Sequence, residues 1–204
     1  CFVLDARLCN HALVAPQFPG PRTVTGTALP GPEGYRIDLR AQGPGGIDLR
    51  AKGAAAPNFS SVNIAATGSA QAALAGPFIQ PRTISGPVRF DLRLNGRPSL
   101  GALSGRVTLV NGRLADPGFG LAVEALEGAG TLSDGRVQVD VSGRPANGGR
   151  IAVAGSVGLA PPLSADLAID ITRAVLRDPE LYRTTADGRV TVTGPLTGGS
   201  RIAG

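Results

Sequence analysis

Hydrophobic and polar residues alternate one by one through much of this chain. Tyr35-Arg36-Ile37-Asp38-Leu39-Arg40-Ala41 alternates strictly, as do Ile47-Asp48-Leu49-Arg50, Val88-Arg89-Phe90-Asp91-Leu92-Arg93-Leu94 and Arg136-Val137-Gln138-Val139-Asp140-Val141. Strand side chains point to opposite faces in turn, so a period of two predicts sheet with one wet face and one hidden face. Only Asp178-Pro179-Glu180-Leu181-Tyr182 predicts a helical turn, with Asp178 capping a turn that starts at proline. That is too little helix to cover a sheet.

The alternating runs are punctuated by short turn signals. Gly-Arg followed by an aliphatic residue recurs at Gly105-Arg106-Val107, Gly112-Arg113-Leu114, Gly135-Arg136-Val137, Gly149-Arg150-Ile151 and Gly188-Arg189-Val190. In each, Gly is expected to supply a turn, Arg to face water and the third residue to enter the apolar face. Asn111-Gly112, Asp134-Gly135 and Asp187-Gly188 predict hairpins. Gly43-Pro44-Gly45-Gly46 joins two near copies of Ile-Asp-Leu-Arg-Ala, and Arg22-Thr23-Val24-Thr25-Gly26 is echoed by Arg82-Thr83-Ile84-Ser85-Gly86. Repeated strand-and-turn units build elongated stacks more readily than closed globules.

The inward positions define a candidate wall. It runs through Ile37 and Leu39, Ile47 and Leu49, Val88, Phe90 and Leu92, then Val107 and Leu109. It continues through Val137 and Val139, Ile151 and Val153, Leu167 and Ile169, and Val190 and Val192. Burying each such side chain is worth ~1.5–3 kcal/mol, so leaving the face in water would forfeit more than a domain's whole net stability of ~5–15 kcal/mol. The cover must be a second sheet, the same sheet folded over, or an apolar ligand.

Composition bears on that choice. Aromatic residues make up only 4% of the chain, with no Trp and no Met, so Leu, Val, Ile and Ala would have to fill any core. Such a filling is thin and favours a lumen that protein does not plug. The expected fold is therefore all-β: an elongated curved sheet folded over an apolar trough, with short hairpin-linked strands and almost no helix. Residues 1–204 read as one continuous segment of a longer protein. No apolar run approaches the ~20 residues of a membrane helix, so any anchor is expected outside this segment. A dozen strands at ~4.8 Å each give a trough of about 60 Å.

Charge and candidate chemistry narrow the function. The formal net charge is +5, and Lys52 is the only lysine among the basic residues. Arg and Asp interleave within single strands and no aromatic platform accompanies them, so nucleic acid is not an expected partner. His11 is the sole histidine, beside Cys9, and belongs to no nucleophile motif. Cys1, Cys9 and His11 match no standard metal spacing, and the two cysteines read either as a disulfide or as buried thiols. Glu124 and Glu127 read as solvated edge residues, and Gly118-Phe119-Gly120 lacks the strand-to-helix context of a dinucleotide loop. No enzyme activity, cofactor or metal is expected.

The run from Gly105 to Pro117, then Gly149-Arg150-Ile151-Ala152-Val153-Ala154-Gly155, resembles the C-terminal half of TamB-type proteins of the AsmA-like family. So does the stretch from Leu167 through Leu176-Arg177-Asp178-Pro179-Glu180-Leu181-Tyr182 to Asp187-Gly188-Arg189-Val190-Thr191-Val192-Thr193-Gly194-Pro195-Leu196. The resemblance is best over residues 85–204. It implies a β-taco, a long curved sheet with a hydrophobic groove, in a bridge-like lipid transfer protein anchored in the inner membrane of a Gram-negative bacterium and crossing the periplasm. It also implies phospholipid as cargo, a TamA-type outer-membrane barrel protein as partner, and a place in outer-membrane biogenesis. No catalytic motif is carried over. Two other readings of the same strands are a scaffold for outer-membrane protein insertion by β-augmentation and a β-solenoid passenger or adhesin segment. A membrane-spanning barrel is disfavoured, because aromatic girdles are missing and the charged face could not meet lipid.

Overall fold

The computed structural model describes residues 2–8, 22–32, 34–118, 120–178, 182–195 and 199–204. They form one curved, open, 14-stranded sheet in which every pairing is antiparallel. The first strands are β1 (Phe2–Leu8), β2 (Arg22–Gly31), β3 (Gly34–Gly43), β4 (Ile47–Ala55) and β5 (Val62–Gln71). Then come β6 (Thr83–Ser85), β7 (Pro87–Gly96), β8 (Leu103–Asp116), β9 (Leu121–Ser133) and β10 (Arg136–Pro145). The last are β11 (Arg150–Gly158), β12 (Ser164–Asp178), β13 (Tyr182–Pro195) and β14 (Arg201–Ala203). Strand order follows chain order, except that β6 and β7 share one edge of β8: β7 pairs with Leu103–Leu109 and β6 with Arg113–Ala115. The elongated, curved all-β architecture expected from the alternation is what the chain adopts.

Turn chemistry explains some connections and not others. Asp134 (φ 51°) and Gly135 (φ 71°) form the predicted two-residue hairpin between β9 and β10, with Ser133 facing Arg136. Asn111-Gly112 and Asp187-Gly188 do not turn the chain. Both lie inside long strands, β8 and β13. Gly105 is likewise mid-strand, so among the Gly-Arg units only those at Gly135 and Gly149 flank turns. At the other sites the energy of two continuing ladders outweighs the local preference of the dipeptide for turning.

Asn111 instead takes a positive φ of 50° at a β-bulge, which is the other use a strand makes of such a residue. The predicted helical turn falls on residues 179–181, which lie outside the described residues; Asp178 and Tyr182 on either side of them pair across the β12–β13 connection. Among the described residues helix occurs in a short Ala-rich insert between β5 and β6, Ala72–Ala75 followed by Gly76–Ile79, and in a single turn at Leu100–Ala102 before β8.

Bulges line up into a crease. The register shifts between Leu109 and Gly112 on β8, between Ser142 and Arg144 on β10, and between Ile171 and Ala174 on β12. Ala125 of β9 (φ 46°) and Arg173 of β12 (φ 47°) share the left-handed conformation of Asn111. The break between β6 and β7 falls on the same line, at Gly86, where an added Cβ would sit 2.7 Å from the Gly112 Cα. Each bulge adds local twist and bends its strand, so a row of them folds the sheet across its width.

Candidate functional site: an apolar face along the sheet

The register places every predicted wall residue on one face. Directly opposed residues in an antiparallel ladder share a face. Val88 faces Leu109, Phe90 faces Val107, Val153 faces Ile169, and Ile169 faces Val190. Continuous apolar rows therefore run across the strands. One passes from Val24 through Ala41, Leu49, Gly68 and Phe90 to Val107, and resumes from Val139 through Gly155 and Leu167 to Val192.

All of the wall positions, from Ile37 to Val192, are half-buried; none is fully buried and none is fully exposed. Among the described residues the buried hydrophobic ones are few and mostly small: Ala55, Val62, Ala72, Val123, Leu126, Ala165 and Ala174. No described side chain falls below 2% exposure. A second sheet packed face to face would bury alternate residues of both layers completely, and that signature is missing. The accessible surface is 13037 Å² for 20.6 kDa, against roughly 8,900 Å² for a compact monomer of that mass. The apolar face is thus a half-sheltered surface over most of its length.

Glycines on this face have a common placement. Leu39 stands opposite Gly26, Leu49 opposite Gly68, Leu92 opposite Gly105, and Leu167 opposite Gly155. In each case the leucine belongs to an Asp-Leu dipeptide, and a Cβ on the glycine would collide with the aspartate's carbonyl oxygen. The Asp-Leu repeat is a matching half whose partner is a glycine on the next strand. It brings the backbones together on the apolar side, as a concave face requires.

The opposite face is charged and wet. Asp38 meets Lys52 across the ladder at 2.9 Å, and Asp170 meets Arg189 at 3.5 Å. These exposed pairs settle register more than they add stability. At the end of the trough near the β4–β5 loop, Phe59 stacks on Tyr35 with ring centroids 5.6 Å apart, close to buried Ala55 and Val62. A hollow of about 510 Å³ lies at this rim, lined by Tyr35, Ala55 and Val62 of the apolar face and by Asn63 and Asn95 of the other.

Several members of the site were hidden from sequence. Ile64, Ala66 and Ala70 of β5 and Leu132 of β9 extend the same face. Their strands mix Ala, Gly and Thr, whose contrast in polarity is too small to mark a period. Glu124 and Glu127 are solvated as expected, but on β9, which is paired on both sides and is no edge: Glu124 lies 3.6 Å from Arg113, and Glu127 accepts a hydrogen bond from the Asn111 amide. Cys1, Cys9 and His11 lie outside the described residues. Among the described residues no group of three or more His, Cys, Asp or Glu could hold a metal, and no helix is long and apolar enough to cross a membrane.

Compared with known proteins, the chain matches no family model, no curated protein and no solved structure.

Proposed function

We propose that this chain is a segment of a lipid-transfer conduit whose trough carries phospholipid acyl chains. The observation that carries the reading is the uniform half-burial of the wall. A continuous apolar face of Leu, Val and Ile is sheltered by curvature yet not filled by protein, so hydrocarbon tails gain what a second layer would otherwise supply. Headgroups would remain at the open margin, in water. The resemblance of residues 85–204 to the AsmA-like family supplies the rest of the proposal: a periplasmic location, an inner-membrane anchor outside this segment, and a TamA-type barrel protein as partner.

A second reading is supported by the sheet's far edge. Among the described residues, β14 covers only Thr191–Thr193 of β13, which leaves most of that 14-residue strand as an open edge for an added strand. The uniform antiparallel meander does not favour the stacked coils of a solenoid passenger.

Lipid mass spectrometry on natively extracted protein tests the conduit directly, paired with photo-crosslinkers at Leu39 and at its outward neighbour Arg40. Labelling of phospholipid from Leu39 and not from Arg40 is expected. Equal labelling from both positions, or recovery of protein without lipid, rejects the trough.

A further inference from the structure

We infer that three arginines beside the crease, Arg144, Arg150 and Arg173, form a binding site for a phosphate-bearing anion. This site lies on the face opposite the trough and does not depend on what the trough carries.

The three residues come from adjacent strands, β10, β11 and β12. Gly143 of the apolar face is paired with Ile151, so the next ladder position outward sets Arg144 across from Arg150. Arg150 in turn faces Thr172, and Arg173 follows at the bulge. All three arginines are exposed. Two hollows flank them and share Arg150: one of about 340 Å³ beside Ser142 and Arg144, the other of about 570 Å³ beside Thr172 and Arg173.

Like charges set side by side across a ladder destabilise a sheet, and here the arginines outnumber the carboxylates beside them. Among the described residues none of the three arginines makes an ion pair. Three carboxylates border the cluster: Glu124, across the ladder from Arg144 and 3.6 Å from Arg113, and Glu127 and Asp187, both turned to the main chain. Glu127 accepts from the Asn111 amide at 3.0 Å, and Asp187 accepts from the Arg173 amide at 2.8 Å. With Arg113, four guanidiniums against these three carboxylates leave the site net positive.

Bulges re-aim side chains and open space in a ladder that is otherwise closed, which is why they recur beside binding sites. Guanidinium forks match the oxygens of phosphate bidentately, and the Ser142 and Thr172 hydroxyls supply further hydrogen bonds. Two strand spacings of ~4.8 Å make the row about 10 Å wide. Two hollows joined by one arginine suit a pair of linked phosphates better than a single one.

Calorimetric titration of the chain at low salt with pyrophosphate, and separately with inorganic phosphate, tests the site. Pyrophosphate is expected to bind more tightly, and more weakly as ionic strength rises. Arg150→Gln should lower the affinity by about 10-fold or more, the loss of one charge-assisted contact. The double variant Arg40→Gln/Arg50→Gln removes two arginines that also face each other on the outer surface but lie away from the crease, and should bind as well as the parent. Arg144→Gln repeats the test at an independent position should Arg150→Gln fold poorly.

Flotation with phosphatidylglycerol vesicles separates the sources. Loss of vesicle binding in Arg150→Gln along with pyrophosphate binding identifies a lipid headgroup. Loss of pyrophosphate binding alone identifies a soluble phosphate compound. No binding by the parent chain, or an equal loss in Arg40→Gln/Arg50→Gln, overturns the proposal.

Discussion

Leu92 lies directly across the ladder from Gly105, and a Cβ at Gly105 would come within 2.8 Å of the Leu92 Cα and collide with the Asp91 carbonyl oxygen. The φ of 128° at Gly105 is itself one that L side chains rarely adopt. Gly155, at φ 141°, stands in the same relation to Asp166 and Leu167. In both places the glycine lets the two backbones approach closely.

Gly105→Val is therefore expected to destabilise the sheet by about 2 kcal/mol or more, since both steric room and backbone conformation are violated. Gly120→Val makes a useful comparison: Gly120 also has a positive φ, but a Cβ there meets nothing within 4 Å. Urea midpoints should fall further for Gly105→Val than for Gly120→Val. Equal losses would show that conformation alone, and not the close approach to Asp91, makes glycine necessary.

Arg82 donates from Nε to the Asp116 carboxylate at 2.6 Å, tying the strand after the helical insert to the end of β8. The two ends differ in burial: the Asp116 side chain is 10% exposed and that of Arg82 49%. Removing Arg82 takes the guanidinium away from a nearly buried carboxylate, which also accepts from the Gly118 amide. Arg82→Ala should cost about 1–3 kcal/mol, while Arg82→Lys should recover part of it. Thermal denaturation of the two variants measures the difference, and indistinguishable melting temperatures for parent and Arg82→Ala would refute the assignment.

At two bulges an amide released from the ladder is taken up by an acidic side chain of the next strand: Asn111 by Glu127 and Arg173 by Asp187. Glu127→Gln keeps an acceptor and should be nearly neutral. Glu127→Ala removes it and should cost about 1 kcal/mol, with faster hydrogen exchange at the Asn111 amide. Exchange at Asn111 that is unchanged in Glu127→Ala would show that water serves the amide equally well.

The period of two was enough to set which residues share a face. Ile37, Leu39, Val88, Phe90 and Leu92 face one way and Arg36, Arg40, Arg89 and Asp91 the other because alternation is a property of the extended backbone, independent of partner strands. It was also enough for Asp134-Gly135, where two residues with positive φ can do nothing but turn between strands that end there.

Tertiary structure decided what local pattern leaves degenerate. Asn111-Gly112 carries the same turn preference as Asp134-Gly135, yet it bulges within β8, because β9 on one side and β6 with β7 on the other hold that strand straight through. The pairing of each Asp-Leu with a glycine, the alignment of bulges into one crease, and the gathering of Arg144, Arg150 and Arg173 all depend on register between strands. Register is fixed by cooperative pairing over the whole sheet. An alternating sequence marks its faces, but not which of its residues will stand opposite each other.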